Sequence, residues 1–189
     1  GMTLSVVSNN VVIFPSVYKT LPFNMPNDFT PIAICGFTPV VLVVNPKVPA
    51  KDAKEFAALL KAKPGELNFG SSGIGSGTHY GAELFNLAAK IRAVHVPYKG
   101  TPEVATDVMS GRLDYAMAPL LPSTPLVRSG RLIALGITSP QRLPMLPDVP
   151  TIAEAALPGF VYEGWYGIFA PARTSREIVR FGIISGRSP

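Results

Sequence analysis

At 189 residues, with 47% hydrophobic and only 15% charged residues, the chain can bury a substantial core and falls outside the disordered class. Its net charge of +5 comes from cations scattered singly, such as Lys47, Lys54, Lys90 and Arg112, with no basic stripe and interleaved aromatics; no nucleic-acid partner is expected. A single cysteine, Cys35, excludes an internal disulfide and a multi-cysteine metal site, and no run reaches the roughly 18 apolar residues of a membrane span.

In chain order, residues 4–8 read as a strand closed by the turn Ser8-Asn9-Asn10. The opening Gly1-Met2-Thr3-Leu4 does not read as a signal peptide, and Gly1 carries no weight. A helical turn over 15–18 and a loop over 19–27 follow. Residues 29–37 and 40–44 form two β-branched, continuous strands of the kind found in a sheet covered on both faces. Cys35 lies in the first of them and reads as a buried, inert thiol.

Residues 49–63 are the clearest helix, with Ala53, Phe56, Ala57 and Leu60 at helical spacing and Pro64-Gly65 as the stop. A strand over 67–69 runs into a helix over 78–89, and a strand over 94–96 into the turn Pro97-Tyr98-Lys99-Gly100. Residues 102–110 form a helix stopped by Gly111. A strand over 113–117, a helical segment over 120–128 and a strand over 132–138 come next. Thr151 and Glu154 have capping-box spacing for a short helix over 151–156. An aromatic-rich strand over 162–170 and a helix starting at 175 complete the reading. Such alternation predicts an α/β sheet of parallel strands, with its ligand beyond their C-terminal ends.

The most informative segment joins the strand at 67–69 to the helix at 78. It carries Gly70-Ser71-Ser72-Gly73-Ile74-Gly75-Ser76, small residues that leave backbone N–H groups uncovered beside the free donors of a helix start. Hydroxyls of Ser71, Ser72, Ser76 and Thr78 add donors, each worth roughly 1.5–3 kcal/mol to a charged ligand. The glycine spacing matches neither a dinucleotide fingerprint nor a phosphate loop, so no cofactor is expected. Two readings stand for this connection: an anion cradle or a plain tight turn. Two also stand for Ser72 and Ser76: hydroxyl donors, or the nucleophile of a small acyl-transfer hydrolase using His79. Neither serine has the nucleophile-elbow spacing, and His79 and His95 are the only histidines. Those two without a nearby acid or thiol make no zinc site.

Several runs in register carry a resemblance. They are residues 67–79, His95-Val96-Pro97-Tyr98-Lys99-Gly100, Gly111-Arg112-Leu113-Asp114, Gly130-Arg131-Leu132, Leu146-Pro147-Asp148-Val149-Pro150-Thr151 and Trp165-Tyr166-Gly167-Ile168-Phe169-Ala170-Pro171. Over about residues 3–180 the chain resembles the extracytoplasmic receptors of the tripartite tricarboxylate transporters, the Bug receptors.

The resemblance implies an α/β fold of the periplasmic-binding-protein type II kind, with two α/β lobes of which one is incomplete. Residues 1–39 and 159–189 would form the partial first lobe and 40–158 the second, with crossings near 37–44 and 160–169. It implies a non-enzymatic, periplasmic receptor that carries a small carboxylate anion to a membrane permease. Ser72, Gly73, Gly75, Ser76, Thr78 and His79 would line the cleft from the second lobe, with Pro97, Tyr98 and Lys99 on the adjacent turn and Ser8 and Asn9 facing from the first lobe.

Three departures qualify it. The family's leader, first strand and a Pro-Gly-Gly loop have no counterpart here. Many members carry an aspartate where Ala118 stands, which argues against an amino-acid ligand. Residues 181–189 read as an unrelated tail. A truncated receptor is therefore expected, with weak ligand affinity and an unpaired first-lobe edge able to pair two chains as a homodimer.

Overall fold

The run Val40-Val41-Leu42-Val43-Val44 organises the larger part of the chain. It ends the long strand β2 (Phe29–Val44), and each of its five residues is at most 5% exposed. Strand geometry alternates their side chains: Val40, Leu42 and Val44 enter one apolar cluster, Val41 and Val43 another. The computed structural model describes residues 3–25 and 27–185. It divides into two compact units, Gly1–Thr38 with Gly164–Pro189, and Pro39–Glu163.

In the larger unit, β2 lies between β5 (Tyr115–Pro119) and β6 (Ile133–Ile137), and the sheet continues through β3 (Asn68–Ser71) to β4 (Val94–Pro97). The sheet is mixed, which corrects the expectation of parallel strands. β3 runs parallel to both β4 and β5, whereas β2 is antiparallel to β5 and β6. The helix after β2 leads to a strand of opposite direction two places away, so that strand–helix–strand segment is not a parallel crossover. The C-terminal ends of β3, β4 and β5 still point the same way, with Ser71 paired to Pro97.

Helices cover both faces. One face carries α2 (Ala53–Ala62), capped by Asp52 accepting from Glu55 N, and α3 (Gly77–Ala89). Phe56, Leu60, Phe85 and Tyr115 are fully buried there. The other face carries α4 (Thr101–Ser110) and α5 (Leu120–Arg128), with Val104, Val108, Leu120 and Leu132 in the core. The short α6 (Ile152–Ala155) has both hydrogen bonds of the expected capping box, between Thr151 and Glu154.

In the smaller unit, β1 (Ser5–Ser8) pairs antiparallel with β7 (Glu163–Pro171), Ser5 opposite Phe169. Helix α1 (Asn10–Val17) replaces the expected turn at Ser8-Asn9-Asn10 and begins earlier than the predicted helical turn. The apolar run read as a doubly covered strand is neither separate nor covered here. It is the first part of β2, and Ile34 and Phe37 are about 60% exposed. Cys35 is exposed as well, against the expectation of a buried thiol. The physical reason is sparse cover within the unit: α1 contributes no buried residue. The chain's last described helix, α7 (Arg176–Ser185), contains the start of the expected tail, whose remainder lies outside the described residues, as does Gly1.

One buried polar bond fixes α3 on the sheet. The Tyr115 hydroxyl donates to Asn86 Oδ1 at 2.7 Å, with Tyr115 0% and Asn86 4% exposed. Tyr115→Phe leaves that amide oxygen buried without its donor and is expected to lower unfolding free energy by about 1–3 kcal/mol. Urea denaturation followed by circular dichroism measures it, and an unchanged midpoint would show the bond to be dispensable.

Candidate functional site

The connection from β3 to α3 is the centre of the site. Gly73 and Gly75 sit at φ +119° and +76°, backbone positions that glycine adopts at little cost. The turn they allow is tight, and most of its amides are already bonded. Ser72 N–H donates to Thr78 Oγ1 at 3.0 Å, Gly73 N–H to Ser71 Oγ at 3.2 Å, and Gly75 N–H to His79 Nδ1 at 3.1 Å. Ser76 N–H donates to the Gly73 carbonyl at 3.1 Å. This corrects the expectation of a loop with uncovered amides. The loop's own side chains cover them, because a buried N–H without an acceptor is costly.

The helix start adds further donors: Ser76 caps α3 by accepting from His79 N–H at 3.2 Å, and among the described residues no acceptor meets the amides of Gly77 and Thr78, the first two helical residues. The first turn of α3 carries no acid, whereas α2, α4 and α6 carry Glu55, Glu103 and Glu154 there. The positive end of the α3 dipole is thus left without a carboxylate of its own.

Beside Thr78 lies a recess of about 300 Å³ within the larger unit. Its polar rim holds Ser71, Ser72, Thr78 and Thr101, and Ser123 on α5 lines it as well. Its walls are Val43, Val104, Val108, Ala116, Leu126 and Leu132. No charged residue lines it.

Of the expected site residues, only Ser72 and Thr78 line this recess. Gly73, Gly75, Ser76 and His79 shape the turn beneath its rim. The turn at Pro97-Tyr98-Lys99 packs against the loop, since Tyr98 N–H donates to the Ser71 carbonyl at 2.9 Å. Yet the Tyr98 hydroxyl is spent on Asp107 Oδ2 at 2.7 Å, a bond that raises its pKa, and Lys99 is exposed. Ser8 and Asn9 belong to the smaller unit, where Ser8 pairs with Tyr166 and Asn9 N–H donates to the Trp165 carbonyl. Thr101 is legible in the sequence only as a helix start with free N–H groups, and Ser123 is not singled out there. Ser123 had a signal: it lies three residues from both Leu120 and Leu126, on the apolar face of its helix.

The two histidines form a stack. The rings of His79 and His95 lie 4.0 Å apart, and Phe69 stacks beyond His95 at 4.9 Å. Ser71 Oγ meets His95 Nε2 at 2.6 Å. Because His79 Nδ1 accepts the Gly75 amide, its proton belongs on Nε2, which faces Glu83 Oε1 at 3.7 Å. Partial burial lowers both pKa values, that of His95 to about 4, with the neighbouring His79 adding to the effect. Glu83 opposes the fall at His79.

A family model described as "Tripartite tricarboxylate transporter family receptor" matches residues 1–182. The chain belongs to that family. The UPF0065 protein of the tcbD–tcbE intergenic region in Pseudomonas sp. strain P51 is 36% identical over 180 residues, covering 95% of this chain and 54% of that protein. Protein BugT of Bordetella pertussis is 33% identical over 181 residues, covering 95% and 56%. The chain therefore spans about half the length of the curated relatives it matches. Among solved structures, R. palustris Rpa4515 with adipate superposes at TM-score 0.88 with 30% identity, over 98% of this chain and 62% of that one. MatC from Rhodopseudomonas palustris with bound malate gives 0.83 and 31%, over 97% and 64%.

These receptors are not enzymes, and the geometry here gives the hydrolase alternative no support. Ser72 Oγ meets Thr78 Oγ1 and Ser76 Oγ caps α3, so neither reaches the ring of His79. The serine that does meet a histidine, Ser71, is 1% exposed and also bonds Gly73. Among the described residues no helix is long and apolar enough to cross a membrane.

The histidine stack makes stability depend on pH. Unfolded, His95 binds a proton below its ordinary value of 6.5; folded, it stays neutral down to about 4. The unfolded chain thus holds more protons in that window, and folding stability falls as pH drops through it while being complete above it. His95→Gln, which can keep the Ser71 bond, is expected to flatten the change in urea midpoint between about pH 7 and pH 5. Parallel slopes for both proteins would assign the dependence elsewhere.

Proposed function

We propose that the chain is the solute-recognising part of a periplasmic receptor that binds a small carboxylate and passes it to a tripartite transporter's membrane permease. The observation that carries this reading is the pair of open amides on Gly77 and Thr78, at a helix start without an acid, where Thr78 lines an uncharged recess. A carboxylate completes both amides and meets the positive helix end without having to displace a resident acid. Family membership supports the reading, as do solved relatives holding adipate and malate. Ser72 and Thr78 then face the ligand, while Gly73, Gly75, Ser76 and His79 hold the turn that aims the amides. Pro97, Tyr98 and Lys99 brace that turn from the β4 side.

Gly77→Pro tests the amide directly. Gly77 is the first residue of α3, where proline is well tolerated, and Ser76 already has the extended backbone (φ −69°, ψ 158°) that a following proline requires. The variant should fold with little change in stability while losing at least about tenfold in affinity for a small carboxylate, the worth of one hydrogen bond to a charged group. Calorimetric titration of both proteins decides it, and equal affinities would remove the α3 amides from the site.

A further inference from the structure

Resting on the carboxylate reading above, we propose that the recess between α4 and α5 receives the neutral, largely apolar body of a monocarboxylate. The head lies on the amides of Gly77 and Thr78, and Ser123 bonds an uncharged polar atom of the body. Three observations lead there. The recess shares Ser72 and Thr78 with the carboxylate site, so one molecule can occupy both. Its lining is mostly apolar, and none of the described residues that line it carries a charge. A second carboxylate or an ammonium group buried there would lose its hydration with no counter-charge, a cost of several kcal/mol that a neutral body escapes. Ala118, whose methyl group lines the recess, supplies no such charge either.

The third observation is Ser123 itself. It is only 4% exposed, lines the recess, and its hydroxyl has no hydrogen-bond partner among the described residues. The next residue, Thr124, takes the usual helical solution and donates to the Leu120 carbonyl at 2.9 Å. Ser123 does not donate to the carbonyl four residues before it. Its oxygen is not sealed from solvent and opens onto the recess, so a group that enters there can meet it. The hydroxyls of Ser72 and Thr78 are bonded to each other at 3.0 Å, and that of Ser71 to His95, so Ser123 is the donor with most to gain. A hydroxyl, ether or ketone oxygen on the ligand fits it; a carboxylate oxygen would bring a charge with it.

A straight-chain series separates the possibilities, with propionate as the probe of the head alone. The full 189-residue chain is titrated calorimetrically with propionate, octanoate, 8-hydroxyoctanoate and octanedioate. Octanedioate should bind at least about tenfold more weakly than octanoate, reflecting the uncompensated second charge. Ser123→Ala should weaken 8-hydroxyoctanoate about fivefold, the worth of one neutral hydrogen bond, and leave octanoate unchanged. Ala105→Leu, which narrows the recess from α4, should weaken octanoate at least about tenfold and spare propionate.

Octanedioate binding as tightly as octanoate would overturn the proposal, and so would indifference of octanoate to Ala105→Leu. If propionate binds and is lost in Gly77→Pro while both recess variants change nothing, this inference fails alone. If no carboxylate binds at all, the receptor reading fails with it. Should Ala105→Leu not fold, the contrast between 8-hydroxyoctanoate and octanoate on Ser123→Ala still decides the matter.

Discussion

The site depends on one constraint: the chain must turn from β3 into α3 within a few residues without leaving buried amides unpaired. The Thr78 hydroxyl stands at its centre, within hydrogen-bonding distance of Ser72 N, Ser72 Oγ and Ser76 Oγ. Ser71 Oγ and His79 Nδ1 take two further loop amides. These acceptors come from side chains, which lets the backbone curl through Gly73 and Gly75 at positive φ. Left open among the described residues are two adjacent amides, those of Gly77 and Thr78, at the end of a helix dipole. A loop that had spent fewer amides on itself would present more donors, but a softer and less defined site.

The electrostatics around that pair are kept quiet. The two stacked histidines are neutral at physiological pH, since partial burial penalises their charged forms. Tyr98 is committed to Asp107, and the aliphatic recess has no ionisable lining residue. The local field therefore comes chiefly from aligned peptide dipoles, which do not titrate. An anion held in the proposed way would stay bound across the pH range in which a lysine- or histidine-based site would change its charge. The histidine stack contributes in another way. It packs against Phe69 and braces Ser71, so its protonation state bears on the loop's geometry more than on its charge.

Much of the larger unit was legible along the chain. Helical spacing and stop residues located α2, α3 and α4 to within a few residues, the capping box marked α6, and the valine-rich run marked a strand buried on both faces. The glycine loop was visible as a place where strand meets helix. Its hydrogen-bond state was not, because the acceptors for Ser72 and Gly75 lie six and four residues onward and reach back only once α3 has formed. Strand direction was hidden for a related reason. Alternation of strands and helices does not say which strand is the neighbour, and β2 pairs with segments more than 70 residues away. Local pattern also misjudged Cys35, since an apolar neighbourhood in sequence becomes a buried one only if another element packs over it.

By itself, the amino-acid sequence determined the family, the kind and order of elements in the larger unit, and the small-residue turn proposed for recognition. These are properties of local propensity and of motifs in register. Only the tertiary structure decided which amides stay open and brought Thr101 and Ser123 around one aliphatic recess. Those outcomes arise when helices α4 and α5, separate along the chain, pack on the same face of the sheet and leave space between them, which no spacing of residues encodes.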